Sequence, residues 1–194
     1  MIVNIVGELV TLGPLEREAA IALQRRSRND FHTQRTTNKS APRPAPLTAV
    51  EQSHDRRTDD DRTVRFLISE RATTTPIGTT SLHRVDHWNG TAMFGISIAV
   101  AEARGKGYGT EATRLTLDYA FTALGLHNIS LGVASFNPAA IRAYEKAGFR
   151  IYGRRREAWR LSNSRYDEIL MECLATEFDS PVLKHILVPD APRP

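Results

Sequence analysis

The 194 residues contain one cysteine, Cys173, so no disulfide can form within the chain and a disulfide-stapled secreted scaffold is excluded. Cys173 sits in the apolar run Ile169-Leu170-Met171-Glu172-Cys173-Leu174, where a buried, inert thiol is expected. No apolar run approaches the roughly 20 residues that span a bilayer. The N-terminus, Met1-Ile2-Val3-Asn4-Ile5-Val6, lacks the basic region and cleavage site of a signal peptide and reads as a strand. A cytoplasmic protein is the consistent expectation. Aromatics are also sparse, at 7%, and none interleaves the densest basic run, Arg154-Arg155-Arg156, as a stacking platform for single strands would require. That run reads as a solvated strand end or a phosphate contact, and nucleic acid is not the expected partner. No internal repeat is present, and the length suits one domain with a full core.

What the chain does have is a soluble composition, 41% hydrophobic and 25% charged, with a net charge of +4 that suits an anionic ligand. The most informative stretch is Arg104-Gly105-Lys106-Gly107-Tyr108-Gly109-Thr110. It lies between an apolar run ending at Val100 and a helical pattern beginning near Glu111, so strand, glycine loop and helix follow in order. Backbone N–H groups at the open end of a helix, with no Cβ at alternate positions, can surround a phosphate, and the helix dipole favours negative charge there. Arg104 and Lys106 add two cations, which points to a pyrophosphate. Gly107, Gly109 and Ala112 fit the dinucleotide pattern G-x-G-x-x-A, but the following strand, Ile129 to Ala134, ends without the acidic residue that would hold a ribose. Gly105-Lys106 lacks the preceding glycine and the following Ser/Thr of a P-loop.

Arg104-x-x-Gly107-x-Gly109 resembles the R/Q-x-x-G-x-G/A signature of the GNAT superfamily of acyl-CoA-dependent N-acetyltransferases. Gly7-x-x-Val10-x-Leu12-x-Pro14-Leu15, Glu111-Ala112, Leu115 to Phe121, Asn137-Pro138-Ala139-Ala140-Ile141 and Tyr144-Glu145-Lys146-Ala147-Gly148-Phe149 are similar to the RimJ/RimL-type branch. The matches span most of residues 7 to 178. The resemblance implies a GNAT fold of α/β (α+β) class: a single domain over 1–178 with a central mixed, mostly antiparallel twisted sheet flanked by helices, then a tail over 179–194. It implies acetyl-CoA as co-substrate, with no metal. The expected contacts are Ile98, Val100, Arg104, Gly105, Lys106, Gly107, Tyr108, Gly109, Thr110 and, on the pantetheine arm, Asn137.

The chain read in order fits that outline. Residues 2 to 12 alternate, Gly13-Pro14 reads as a turn, and Leu15 to Gln24 as a helix. Arg26 to Arg62 carries Phe31, Leu47 and Val50 as its only large apolar residues, and Ala41-Pro42-Arg43-Pro44-Ala45-Pro46 breaks regular structure. This is expected to be the least structured stretch, either a polar insertion or, as the resemblance implies, part of the acceptor site. Val64–Glu70 and Ile77–Arg84 read as a hairpin, Asp86 to Gly90 as a second turn, and Thr91–Val100 as the strand leading to the loop. A helix over Thr110–Leu124 and a strand over Ile129–Ala134 follow. Asn137 and Pro138 then open a helix that Gly148 ends, and Phe149–Arg156 and Tyr166–Leu174 complete the sheet.

An amine attacking a thioester must lose a proton, and the departing thiolate must be stabilised. Glu157, in a segment similar to the family's Arg-Glu-Ala near the acceptor, is the first candidate base, with His83 and Asp167 as alternatives. His83 also fits a packed core residue. Tyr144 lies two helical turns after Asn137, so both face one side of a helix. The resemblance implies that Tyr144 protonates the CoA sulfur, whereas simple packing against Phe149 would leave it without a chemical role. The expected activity is N-acetylation of a small-molecule amine, such as an antibiotic or amino-acid derivative, by a monomer or homodimer. A protein N-terminus is the alternative acceptor, and a non-catalytic CoA- or nucleic-acid-binding module the alternative class.

Overall fold

Eight stretches of alternating or β-branched residues assemble into one sheet in the order β1-β2-β3-β4-β5-β6-β8-β7 in this computed structural model, which describes residues 4–37, 41, 43–55 and 62–187. The strands are β1 (Ile5–Val6), β2 (Val10–Pro14), β3 (Thr63–Glu70), β4 (Pro76–Asp86), β5 (Thr91–Ile98), β6 (Asn128–Ala134), β7 (Arg150–Leu161) and β8 (Ser164–Leu174). Every neighbouring pair is antiparallel except β5 and β6. The sheet is therefore mixed and mostly antiparallel.

Side-chain alternation gives the sheet two distinct faces. Leu82, Phe94, Ile129, Leu131, Val133, Ile169 and Met171 belong to one buried cluster with Leu117 and Ala120 of helix α4 (Tyr108–Asp118) and the turn after it. Helix α5 (Pro138–Ala147) brings Ile141 and Tyr144 to the same cluster. On the opposite face Ser97 lies 3.4 Å from Ser27 of α1 (Arg17–Asn29), which with α2 (Phe31–Thr37) and α3 (Leu47–Asp55) forms the second helical layer. The turn after α4, Tyr119–Ala123, widens to a π turn, with the Leu124 amide donating to the Tyr119 carbonyl.

Two sequence expectations change in the N-terminal half of the chain. Gly13-Pro14 is not a turn: both residues pair with β3, and the chain reverses at Gly7–Leu9 instead. There the Glu111 carboxylate accepts the amides of Glu8, Leu9 and Val10 at 2.7–2.8 Å, replacing the partners a tight reversal would leave missing. The polar segment from Arg26 is also more regular than its composition indicates. α1 runs on to Asn29, α2 follows at once, and α3 buries Val50, while Phe31 and Leu47 stay exposed. Asp30 explains the stop and restart: its carboxylate accepts the amides of His32 and Thr33 at 3.2 Å and caps α2. Residues 38–40, Pro42 and residues 56–61 of that segment lie outside the described residues.

The start of the expected tail belongs to the fold. Asp118, fully buried at the end of α4, accepts the Val182 and Leu183 amides at 2.9 and 2.8 Å and hydroxyls from Thr122 and Ser180, so the short helix α6 (Leu183–Ile186) docks there. Residues 188–194 lie outside the described residues.

Candidate active site

β5 and β6 pair over only three positions, Thr91 with Asn128, Ala92 with Ile129 and Met93 with Ser130. Beyond Met93 and Ser130 the strands part, and the gap opens a cavity of about 1150 Å³ that passes between the two faces of the sheet. Phe94–Ile98 and Leu131–Val133 form its walls.

At the wide end stands the glycine loop. Gly107, at φ +87°, is the N-cap of α4, and the first turn of that helix directs its N–H groups toward the loop. A Cβ on Gly105 would meet nothing within 4 Å, and one on Gly109 would meet only Ile98 Cγ1 at 3.8 Å, so both backbones are open to a close ligand. Ile98, Arg104, Gly105, Gly107, Gly109 and Thr110 line the cavity, as does Asn137 across the gap. Asn137 caps α5, its side-chain oxygen accepting the Ala140 amide at 3.3 Å, with Pro138 at the next position. These residues suit a pyrophosphate held by backbone N–H groups. Val100, Lys106 and Tyr108 do not line the cavity. Lys106 is exposed, and the Tyr108 hydroxyl donates to Glu70 on the far side of the loop.

Arg104 is already engaged. Its guanidinium donates to Asp30 at 2.6 Å, to Thr33 Oγ1 at 2.8 Å and to the Ile98 carbonyl at 3.1 Å. Burial would raise the Asp30 pKa, but hydrogen bonds from Thr33 and Arg104 outweigh it and hold the carboxyl well below its usual range. One arginine thus ties the glycine loop to the cap of α2, whose residues His32, Thr33, Thr36 and Thr37 line the cavity from the other face.

Tyr144 faces the gap from the α4/α5 side. Its ring meets Phe94 and Phe149 edge-on, at centroid distances of 6.0 and 5.9 Å, so it is packed and also lines the cavity. Burial pushes its hydroxyl up to about 12, which keeps the proton on oxygen across the physiological range.

The α1/α2 side holds the candidate bases. His83 pairs with Met93 and shares its face with Gly95, where a Cβ would lie 3.6 Å from His83 Cε1. Burial lowers the His83 pKa, with Arg84 and Arg65 adding to the effect, so the imidazole is neutral at pH 7. Across the gap is Glu168, a residue the sequence reasoning missed. It is 7% exposed and the sole carboxylate among the described residues that line the cavity. Gly132 makes room for it, since a Cβ there would stand 2.7 Å from Glu168 Oε1. Strand alternation carries the missed signal: Glu168 occupies the opposite parity from the core residues Ile169 and Met171.

Glu157 is not brought to the cavity. Register shifts in β7 between Arg155 and Trp159, and Glu157 is exposed there at φ +52°, its amide donating to Asp167 Oδ1 at 2.9 Å. Asp167 is occupied by that contact and by Arg154 at 3.0 Å, and the Glu157 amide leads in holding its pKa down.

Residues 10–150 match the acetyltransferase (GNAT) domain family. The chain belongs to the GNAT acetyltransferase family. It is an acetyl-CoA-dependent N-acetyltransferase with the GNAT fold. Spermidine N(1)-acetyltransferase of Vibrio cholerae is 35% identical over 120 residues, 62% of this chain and 68% of that protein. The Escherichia coli K12 spermidine N(1)-acetyltransferase is 35% identical over 103 residues, and there the match spans about half the relative, 52%. The solved structure of the Vibrio enzyme in complex with CoA and spermine superposes with a TM-score of 0.78 at 27% identity, covering 88% of this chain and 98% of that one. Other structures of that enzyme include a dodecamer and a complex with manganese ions. Among the described residues here, no group of three or more His, Cys, Asp or Glu side chains is placed to hold a metal, and no helix is long and apolar enough to cross a membrane.

Proposed function

We propose that this GNAT enzyme acetylates a primary amine of a small molecule that enters from the α1/α2 face, while acetyl-CoA lies along β5 from the glycine loop toward Tyr144. The observation that carries the reading is the two-sided gap: the glycine loop, Asn137 and Tyr144 edge it toward α4 and α5, and His83 and Glu168 edge it toward α1 and α2. An amine on one side and a thioester on the other meet where β5 and β6 part. His83 or Glu168 takes the amine proton directly or through one water, and the Tyr144 hydroxyl donates to the sulfur as the thiolate departs. Ser97 and the walls of β5 and β6 fix the approach.

The relatives named for spermidine place polyamines among the acceptors to test, beside amino-acid derivatives and aminoglycosides. Release of CoA thiol, measured across that panel and a set of peptides with free N-termini, is expected with small amines. Peptides as the sole good acceptors would overturn the small-molecule reading, and acetyl-CoA binding without thiol release from any acceptor would favour a non-catalytic module. The sequence points to a monomer or homodimer, a relative forms a dodecamer, and light scattering on the purified protein decides between these assemblies.

A further inference from the structure

We infer that the acceptor carries a carboxylate beside its reactive amine, and that Arg155, with Arg84 as a second cation, selects it on the α1/α2 side of the gap. This rests on the proposed transfer to a small amine and narrows its substrate class.

The charges facing that side come from several elements. β4 brings His83 and Arg84, β7 brings Arg155, β8 brings Glu168 and α2 brings His32, with Arg65 close enough from β3 to act on His83. Asp30 is consumed by Arg104. Among the described residues that line this side, two cations, Arg84 and Arg155, therefore face one carboxylate, Glu168, 3.9 Å from Arg155, and Arg65 adds a third positive charge nearby. A linear polyamine, positive at every nitrogen, meets a surplus of like charge here, and a carboxylate-bearing amine does not.

Arg104 gives its guanidinium to Asp30 at 2.6 Å, and Arg154 gives its own to Asp167 at 3.0 Å. Arg155 instead stands 3.9 Å from Glu168, beyond hydrogen-bond length, with a side chain that remains largely exposed while lining the cavity. Its planar fork is shaped for a bidentate carboxylate. Glu168, directly opposite Arg155 in the β7–β8 register, is buried beside the gap where an amine would be delivered. An anion receptor and an amine receptor thus lie side by side, the complement of an amino acid rather than of a polycation. The positive neighbourhood also helps the amine shed its proton, because a nearby guanidinium disfavours the ammonium form.

The test uses matched pairs that differ by one carboxylate: ornithine against putrescine and lysine against cadaverine, with spermidine alongside, each assayed by CoA thiol release with the full-length protein. The acid member of each pair is expected to show kcat/KM higher by about tenfold or more, the discrimination of one charge-assisted hydrogen bond. In Arg155→Gln that ratio should fall toward one. Arg84→Gln should lower it by a smaller factor, and circular dichroism checks that both variants fold. Preference for putrescine, cadaverine or spermidine overturns the inference while leaving transfer to a small amine intact, as does an unchanged ratio in Arg155→Gln. Thiol release from none of these amines overturns this inference, and the small-amine reading itself falls only if the aminoglycosides and the rest of the wider panel give none either.

Discussion

Tyr144 is where packing and chemistry make opposite forecasts. Its hydroxyl, at about 12, faces a leaving group comparable to a cysteine thiol at about 8.5, so complete proton transfer would run uphill by roughly 5 kcal/mol. The residue therefore serves best as a hydrogen-bond donor to developing negative charge, which places its effect at the lower end of general acid catalysis. Tyr144→Phe should lower turnover about 10²-fold at saturating acetyl-CoA, with cofactor affinity and fold retained, since phenylalanine keeps the edge contacts to Phe94 and Phe149. Turnover within a few-fold of the parent would remove it from the mechanism. No alkaline limb below about pH 11 should trace to this group. If His83 is the base, the acid limb of kcat/KM should lie below about 6.5 and disappear in His83→Gln, because its neutral form persists to lower pH than an exposed imidazole's. Helical spacing was enough to put Asn137 and Tyr144 on one side of α5, and both line the cavity. Glu157 lies outside the cavity because a bulge turns it outward, and nothing local announces where a strand will gain an extra residue.

At the scale of elements, the glycine loop offers a cleaner test than its positive-φ residues do. Gly107 sits at φ +87°, so any side chain there strains the backbone. Gly109 has no such constraint, and its Cβ would meet only ordinary contact. Gly109→Glu should keep the melting temperature near that of the parent but abolish stabilisation by acetyl-CoA, because a carboxylate then occupies the phosphate path. Stabilisation equal to the parent's would refute the loop's role. The α1–α2 junction makes a second forecast. Asp30 caps α2 and holds Arg104, so Asp30→Asn loosens both the loop and the helix above the acceptor side. KM should rise several-fold for acetyl-CoA and for the acceptor together. A rise confined to one substrate would show that the two sides are independent. Neither α2 nor its link was legible in the sequence: the segment is poor in apolar residues, and its order comes from a carboxylate reaching an arginine 74 positions away.

For the molecule as a whole, the β3–β4 hairpin and the turn into β5 were legible from local patterns, the mixed sheet came from the family resemblance, and the order that seats β8 between β6 and β7 was not read from the sequence. The parting of β5 from β6 was not legible, because each strand reads as an ordinary one and the separation is a relation between them. That parting has a thermodynamic side. Five strands and three strands are joined by only three residue pairs and a shared core, and past Met93 and Ser130 the facing amides and carbonyls of two central strands have no ladder partner in each other. A co-substrate laid along this slot would serve as a ninth, removable strand, its own amides completing hydrogen bonds that the polypeptide leaves to solvent. Amide hydrogens between Phe94 and Ile98 on the β6 side should accordingly exchange with deuterium quickly in the free protein and slow markedly with acetyl-CoA. Those on the β4 side should stay protected throughout. Opening of the free protein should begin along this seam, so that the ligand acts as a stitch that makes two leaves unfold as one.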